Sequence, residues 1–133
     1  MAQDRLDVIR SIYDAFGTGN MDRVAALIAD ADWEEAEGMP YGGRYKGADQ
    51  VFQNVFSRIV EDVENFSARP DEILAVGDDR VLGLGRYRGT GRSGDLNAAF
   101  THLWTVKDGK ILKFVQYADT HKYQQAVAGS PLR

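Results

Sequence analysis

The chain contains no cysteine, so disulfides, thiolate metal sites and cysteine nucleophiles are all excluded. Its two histidines, His102 and His121, fall at separate positions in and beyond the last strands. Without thiol help they make no metal site, and none is expected. A basic excess is missing too: 16 Lys and Arg stand against 20 Asp and Glu, a formal net charge of -4. Only the short cluster Arg86, Arg88, Arg92 is available to phosphates, so nucleic acid is not an expected partner. No apolar run approaches the roughly 20 residues of a membrane span, so no membrane partner is expected either. The start, Met1-Ala2-Gln3-Asp4-Arg5, leads straight into an amphipathic pattern without the marks of a signal peptide. The cytoplasm is therefore the expected location. Gly83, Gly85, Gly89 and Gly91 sit in strand and hairpin context rather than before a helix, and no serine stands in a nucleophile elbow. Phosphate-cradling and serine-triad chemistry are thereby demoted, and no cofactor is expected.

What is present is one domain's worth of chain, residues 1–133, with 44% apolar and 27% charged residues. That is enough to bury a proper core. Leu6, Ile9, Ile12, Tyr13 and Phe16 recur at helical spacing, with Asp4, Asp7, Arg10 and Asp14 on the other face. Gly17-Thr18-Gly19-Asn20 ends this helix, and Asn20 is a fair N-cap for a second, carrying Met21, Val24, Ala25, Leu27 and Ile28. Asp32 to Glu37 reads as a short strand, Gly38 to Gly47 as turns, and Ala48 to Val63 as a third helix. From Phe66 the period becomes that of strands. The runs are Ser67–Val76, Arg80–Gly89, Asn97–Val106 and Ile111–Thr120, with an Asp-Gly hairpin turn at Lys107–Lys110. Pro131-Leu132-Arg133 reads as a loose tail. The expected class is α+β: N-terminal helices packed on a curved, mostly antiparallel sheet.

Alternation puts Ala98, Phe100, His102, Trp104 and Val106 on one strand face. Without a bulge, Ile111, Lys113, Val115, Tyr117 and Asp119 form one face of the next strand, although Ile111, Phe114 and Tyr117 break the period. Pairing across the hairpin places His102 opposite Val115 or Tyr117, with Asp119 within reach of its imidazole. A histidine among aromatics, oriented by a carboxylate, can move a proton near neutral pH. Glu35 shares a strand face with Trp33 and Glu37, and a carboxyl in an apolar pocket has a raised pKa. Of Arg86 and Tyr87, one points inward.

Several stretches together resemble the SnoaL-like polyketide cyclase branch of the nuclear transport factor two-like superfamily, which includes ketosteroid isomerase, scytalone dehydratase and limonene epoxide hydrolase. They are Tyr13-Asp14-Ala15-Phe16 with Gly19-Asn20, Trp33 with Gly38–Gly47, Phe100–Ile111, and Tyr117-Ala118-Asp119-Thr120. The resemblance covers nearly the whole chain and implies a cone-shaped roll around one ligand-sized pocket. It implies that Asp119 matches the cyclases' acid/base. It also puts His102 where ketosteroid isomerase keeps a protonated aspartate, and Glu35 near that enzyme's proton-abstracting aspartate. The pocket set expected is Trp33, Tyr41, Phe56, Phe100, Trp104 and Tyr117 around catalytic His102, Asp119 and Glu35. The ligand class implied is a small apolar or aromatic oxygenated compound. A cofactor-free acid/base enzyme and a non-catalytic ligand-binding or dimerising domain stand side by side, because this fold hosts unrelated functions. Ala99 and Leu103 make the second face of their strand apolar as well, which points to a homodimer through the sheet.

Overall fold

A computed structural model describes residues 2–129; the tail Pro131–Arg133 lies outside the described residues. Helix α1 spans Ala2–Thr18 and buries Ile9, Ile12, Tyr13 and Ala15. It stops at Gly19, whose φ of 73° leaves the helical region. Asn20 then caps α2 (Met21–Leu27), its side chain accepting the Arg23 N–H. Strand β1 (Asp32–Glu35) is two residues shorter than its sequence suggests.

The stretch Gly38–Gly47 is not all turn. It contains β2 (Gly43–Lys46), antiparallel to β1 in the register Asp32↔Lys46 to Glu35↔Gly43. Its exposed Arg44 and Lys46 meet Glu34 and Asp32 at 3.4 and 3.2 Å. The expected single helix 48–63 is three segments: α3 (Gly47–Val51), a π-helical turn (Phe52–Phe56) and α4 (Ser57–Asp62). The extra residue of such a turn re-aims the following side chains, and π turns often sit at functional sites.

Four long strands follow: β3 (Val63–Val76), β4 (Arg80–Gly91), β5 (Gly94–Lys107) and β6 (Lys110–Ala118). The β5–β6 hairpin turns at Asp108 and Gly109, both at positive φ, as the tightest hairpins require. The last strand does not run to Thr120. It ends at Ala118, and α5 (Thr120–Val127) begins, a helix absent from the expected order. The six-stranded sheet has the order β2-β1-β6-β5-β4-β3. Among the described residues only the β1–β6 pair is parallel. The helices lie against the sheet's curved inner face, and the core between them is built on Trp104, Tyr123, Phe114, Ile9, Ile12 and Ile28.

One irregularity decides the site. Between β5 and β6 the register shifts after Thr105↔Lys113 to Val106↔Ile111, leaving Leu112 as the extra residue of a bulge. His102 therefore pairs with Gln116, not with Val115 or Tyr117. Phe114 and Gln116 turn inward, while Tyr117 stands 58% exposed.

Candidate functional site

Side chains of β1, β3, β4, β5 and β6, with α1, the π turn, α4 and α5, line a cavity of about 490 Å³, the size of a small-molecule site. Its walls are rich in aromatic rings, with Asn65, Ser67 and Arg69 of β3 adding polar groups. Trp33 stacks on Phe114 at 3.9 Å between ring centres and meets Phe56 edge-on at 5.7 Å. Phe56 in turn meets Phe16 at 5.3 Å.

A chain of polar groups crosses the cavity floor. His102, 4% exposed, is bonded through Nδ1 to the Tyr13 hydroxyl at 2.7 Å and through Nε2 to the Tyr87 hydroxyl at 2.6 Å. Trp104 Nε1 donates to the Tyr13 oxygen at 3.0 Å. Gln116 Nε2 donates to the Tyr87 oxygen at 2.8 Å, while Gln116 Oε1 accepts the backbone N–H of Ala36 at 3.0 Å. Tyr13 reaches the sheet because residue 83 is glycine: a Cβ there would overlap the Tyr13 hydroxyl. Phe100 stacks on His102 at 4.0 Å. Burial holds the imidazole neutral, its pKa pushed down to about 3. Burial likewise raises Tyr13 and Tyr87, so both phenols keep their protons.

Beside this floor lies Glu35, 4% exposed, accepting the Trp33 indole N–H at 2.8 Å. Burial pushes its carboxyl up to about 7, and the N–H groups of Trp33 and Gln116 only partly oppose this. At neutral pH Glu35 is thus poised between acid and base, as a proton-transferring group should be.

Of the expected residues, Glu35, His102, Trp33, Phe56 and Trp104 line the cavity. Phe100 sits behind His102 instead of facing the space. Tyr41 is buried, its hydroxyl bonded to that of Tyr123 and its carbonyl taken by Tyr45. Tyr117 points away, because of the bulge at Leu112. Asp119 is exposed and caps α5, accepting the Lys122 N–H at 3.1 Å. The His102–Asp119 couple is therefore not formed: both imidazole nitrogens are bonded to tyrosines. The sequence did not single out Tyr13, Tyr87, Gln116 and Tyr123 as site residues, nor the β3 residues Asn65, Ser67 and Arg69, which also line the cavity. Tyr87 was half visible in the alternation Arg86-Tyr87-Arg88, which turns one of the first two inward, and it is the tyrosine that turns. Among the described residues no cluster of His, Asp or Glu could hold a metal ion. No described helix is long and apolar enough to cross a membrane.

The same architecture recurs in known proteins. The SnoaL-like domain family matches residues 9–114, and the chain belongs to that family. An NTF2-like protein from Burkholderia thailandensis E264 is 33% identical, with 94% of this chain and 98% of that one covered at a TM-score of 0.87. An NTF2-like protein of unknown function from Burkholderia pseudomallei K96243 is 26% identical, with 95% and 98% covered and a TM-score of 0.85. TerC, crystallised with polyporic acid, shares the fold at a TM-score of 0.83 and 23% identity, with 92% and 97% covered. Among curated proteins none matches the sequence.

Proposed function

We propose that this SnoaL-like domain binds a small, mostly apolar or aromatic compound through an oxygen and that Glu35 moves a proton on it. The observation that carries the reading is a buried carboxyl with a pKa of about 7 in an aromatic cavity, beside phenol hydroxyls suited to an oxygen acceptor. The reaction class is isomerisation, cyclisation or another step begun by proton abstraction next to a carbonyl. In that step Glu35 takes the proton from carbon, the electron pair moves onto the carbonyl oxygen, and a tyrosine hydroxyl stabilises it. Polyporic acid, found with TerC, is a reasonable first probe of ligand class.

Two measurements test this. Trp33 and Trp104 line the cavity, so ligand entry should change tryptophan emission across a panel of aryl ketones and polyporic acid. Bound ketones should then exchange their α-hydrogens with deuterated water, and Glu35→Gln should slow that exchange by roughly 10²–10⁴. Binding without exchange in the wild type moves the protein to the ligand-carrier reading. We also propose that two copies pair through the outer face of the sheet.

A further inference from the structure

The polar floor can be balanced proton by proton. Trp104 Nε1 can only donate, so the Tyr13 oxygen accepts its bond. The Gln116 amide is oriented by the Ala36 N–H on its Oε1, so its nitrogen must be what faces Tyr87. Each phenol oxygen thus already accepts one bond from outside the trio. Within the trio there are two hydrogen bonds, Tyr13–Nδ1 and Nε2–Tyr87. A neutral imidazole brings one N–H, and the two phenols bring one O–H each, which makes three protons for two bonds.

The excess proton always sits on a tyrosine. If Nδ1 carries the imidazole hydrogen, Tyr13 accepts from both His102 and Trp104, its lone pairs are filled, and its O–H is left over; Tyr87 then donates to Nε2. With the hydrogen on Nε2 the roles reverse and the spare O–H belongs to Tyr87. Among the described residues neither phenol has another acceptor, and both line the cavity.

We infer that the floor presents one phenol donor at a time, placed by the His102 tautomer, and so selects ligands that offer a lone accepting oxygen, a ketone or quinone carbonyl, over the corresponding alcohol. This rests on the proposed ligand-binding reading and narrows it. The spare donor's oxygen is saturated as an acceptor, so an alcohol's own O–H finds no partner on that phenol and must turn to Glu35, which already accepts from Trp33. A carbonyl has no such hydrogen to strand. Because the donor can move, removing one tyrosine leaves the other to supply it.

The test uses matched pairs such as 1-tetralone and 1-tetralol, with affinities from calorimetry on the intact chain. The wild type should prefer the ketone by about tenfold or more. Tyr13→Phe and Tyr87→Phe should each retain most of that preference, and only the double variant should lose it. Equal affinity for ketone and alcohol overturns the inference while leaving ligand binding intact. Abolition of the preference by one single variant overturns the movable donor and leaves a fixed one. If neither compound binds, the ligand-binding reading fails. The proton balance is then decided by the ¹⁵N spectrum of His102, which also serves if the double variant does not fold. One protonated ring nitrogen at pH 7 supports the balance, and an imidazolium overturns it.

Discussion

Glu35 owes its properties to its surroundings rather than to its residue type. An exposed glutamate titrates near 4.5, whereas Glu35 is held up to about 7 by burial. Between those values the unfolded chain has released a proton that the folded protein still holds. Stability contributed at this position is therefore present below about 4.5, falls as pH rises through the window, and is flat above about 7. The full span amounts to about 3 kcal/mol. Glu35→Gln cannot ionise, so between pH 5 and pH 8 the variant should gain roughly 2 to 3 kcal/mol on the wild type, read from urea unfolding at those two pH values. A constant difference between the two proteins would place Glu35 in contact with water. His102 behaves oppositely. With its pKa pushed down to about 3, it should show no titration from pH 5 to 8 when followed by NMR. On the proposed mechanism, a limb near pH 7 in a pH–rate profile is expected from Glu35.

At the scale of elements, alternation predicted the inner face of β5 because nothing interrupts it from Ala98 to Val106. The same rule failed on β6, where the extra residue Leu112 sends every later side chain to the opposite face. The broken period of Ile111, Phe114 and Tyr117 was the only trace of this in the sequence. The glycine-rich stretch hid β2 because four residues carry too little pattern. Helix α5 was hidden because Asp119-Thr120 also reads as the end of a strand; the spacing of Tyr123, Ala126 and Val127 was its mark. Tyr13 was legible as a helix core residue, but its bond to His102, 89 residues away, lies beyond what periodicity can report. For Asp119 the consequence is testable. Asp119→Ala removes the cap of α5 and should cost about 1 kcal/mol in thermal or urea unfolding, whereas Asp119→Asn keeps an acceptor and should cost only tenths. Neither should slow proton exchange by the factor expected of Glu35→Gln. A loss of exchange in Asp119→Asn with stability unchanged would return the aspartate to the chemistry.

Viewed as a whole, the molecule uses one face of its sheet for the cavity and carries an apolar row across the other. The registers align Leu74, Leu82, Leu103 and Val115 in a row across β3, β4, β5 and β6, with Glu72, Leu84, Thr101 and Tyr117 in the next row. Leu74 and Tyr117 are 45% and 58% exposed, although a sheet with one solvated face normally alternates apolar with polar residues. Two copies related by a two-fold axis would bring such a row against itself, which is how self-complementary interfaces are built. Leu103, on the inner strand β5, lies near the middle of the row and points away from the cavity. Leu103→Glu should therefore leave the fold and the aromatic cavity intact while setting two carboxylates against each other at the axis. Sedimentation velocity at micromolar concentration should show a dimer for the wild type and a monomer for Leu103→Glu, with unchanged circular dichroism. A wild-type protein that sediments as a monomer at those concentrations removes the pairing, and the outer face then needs another cover.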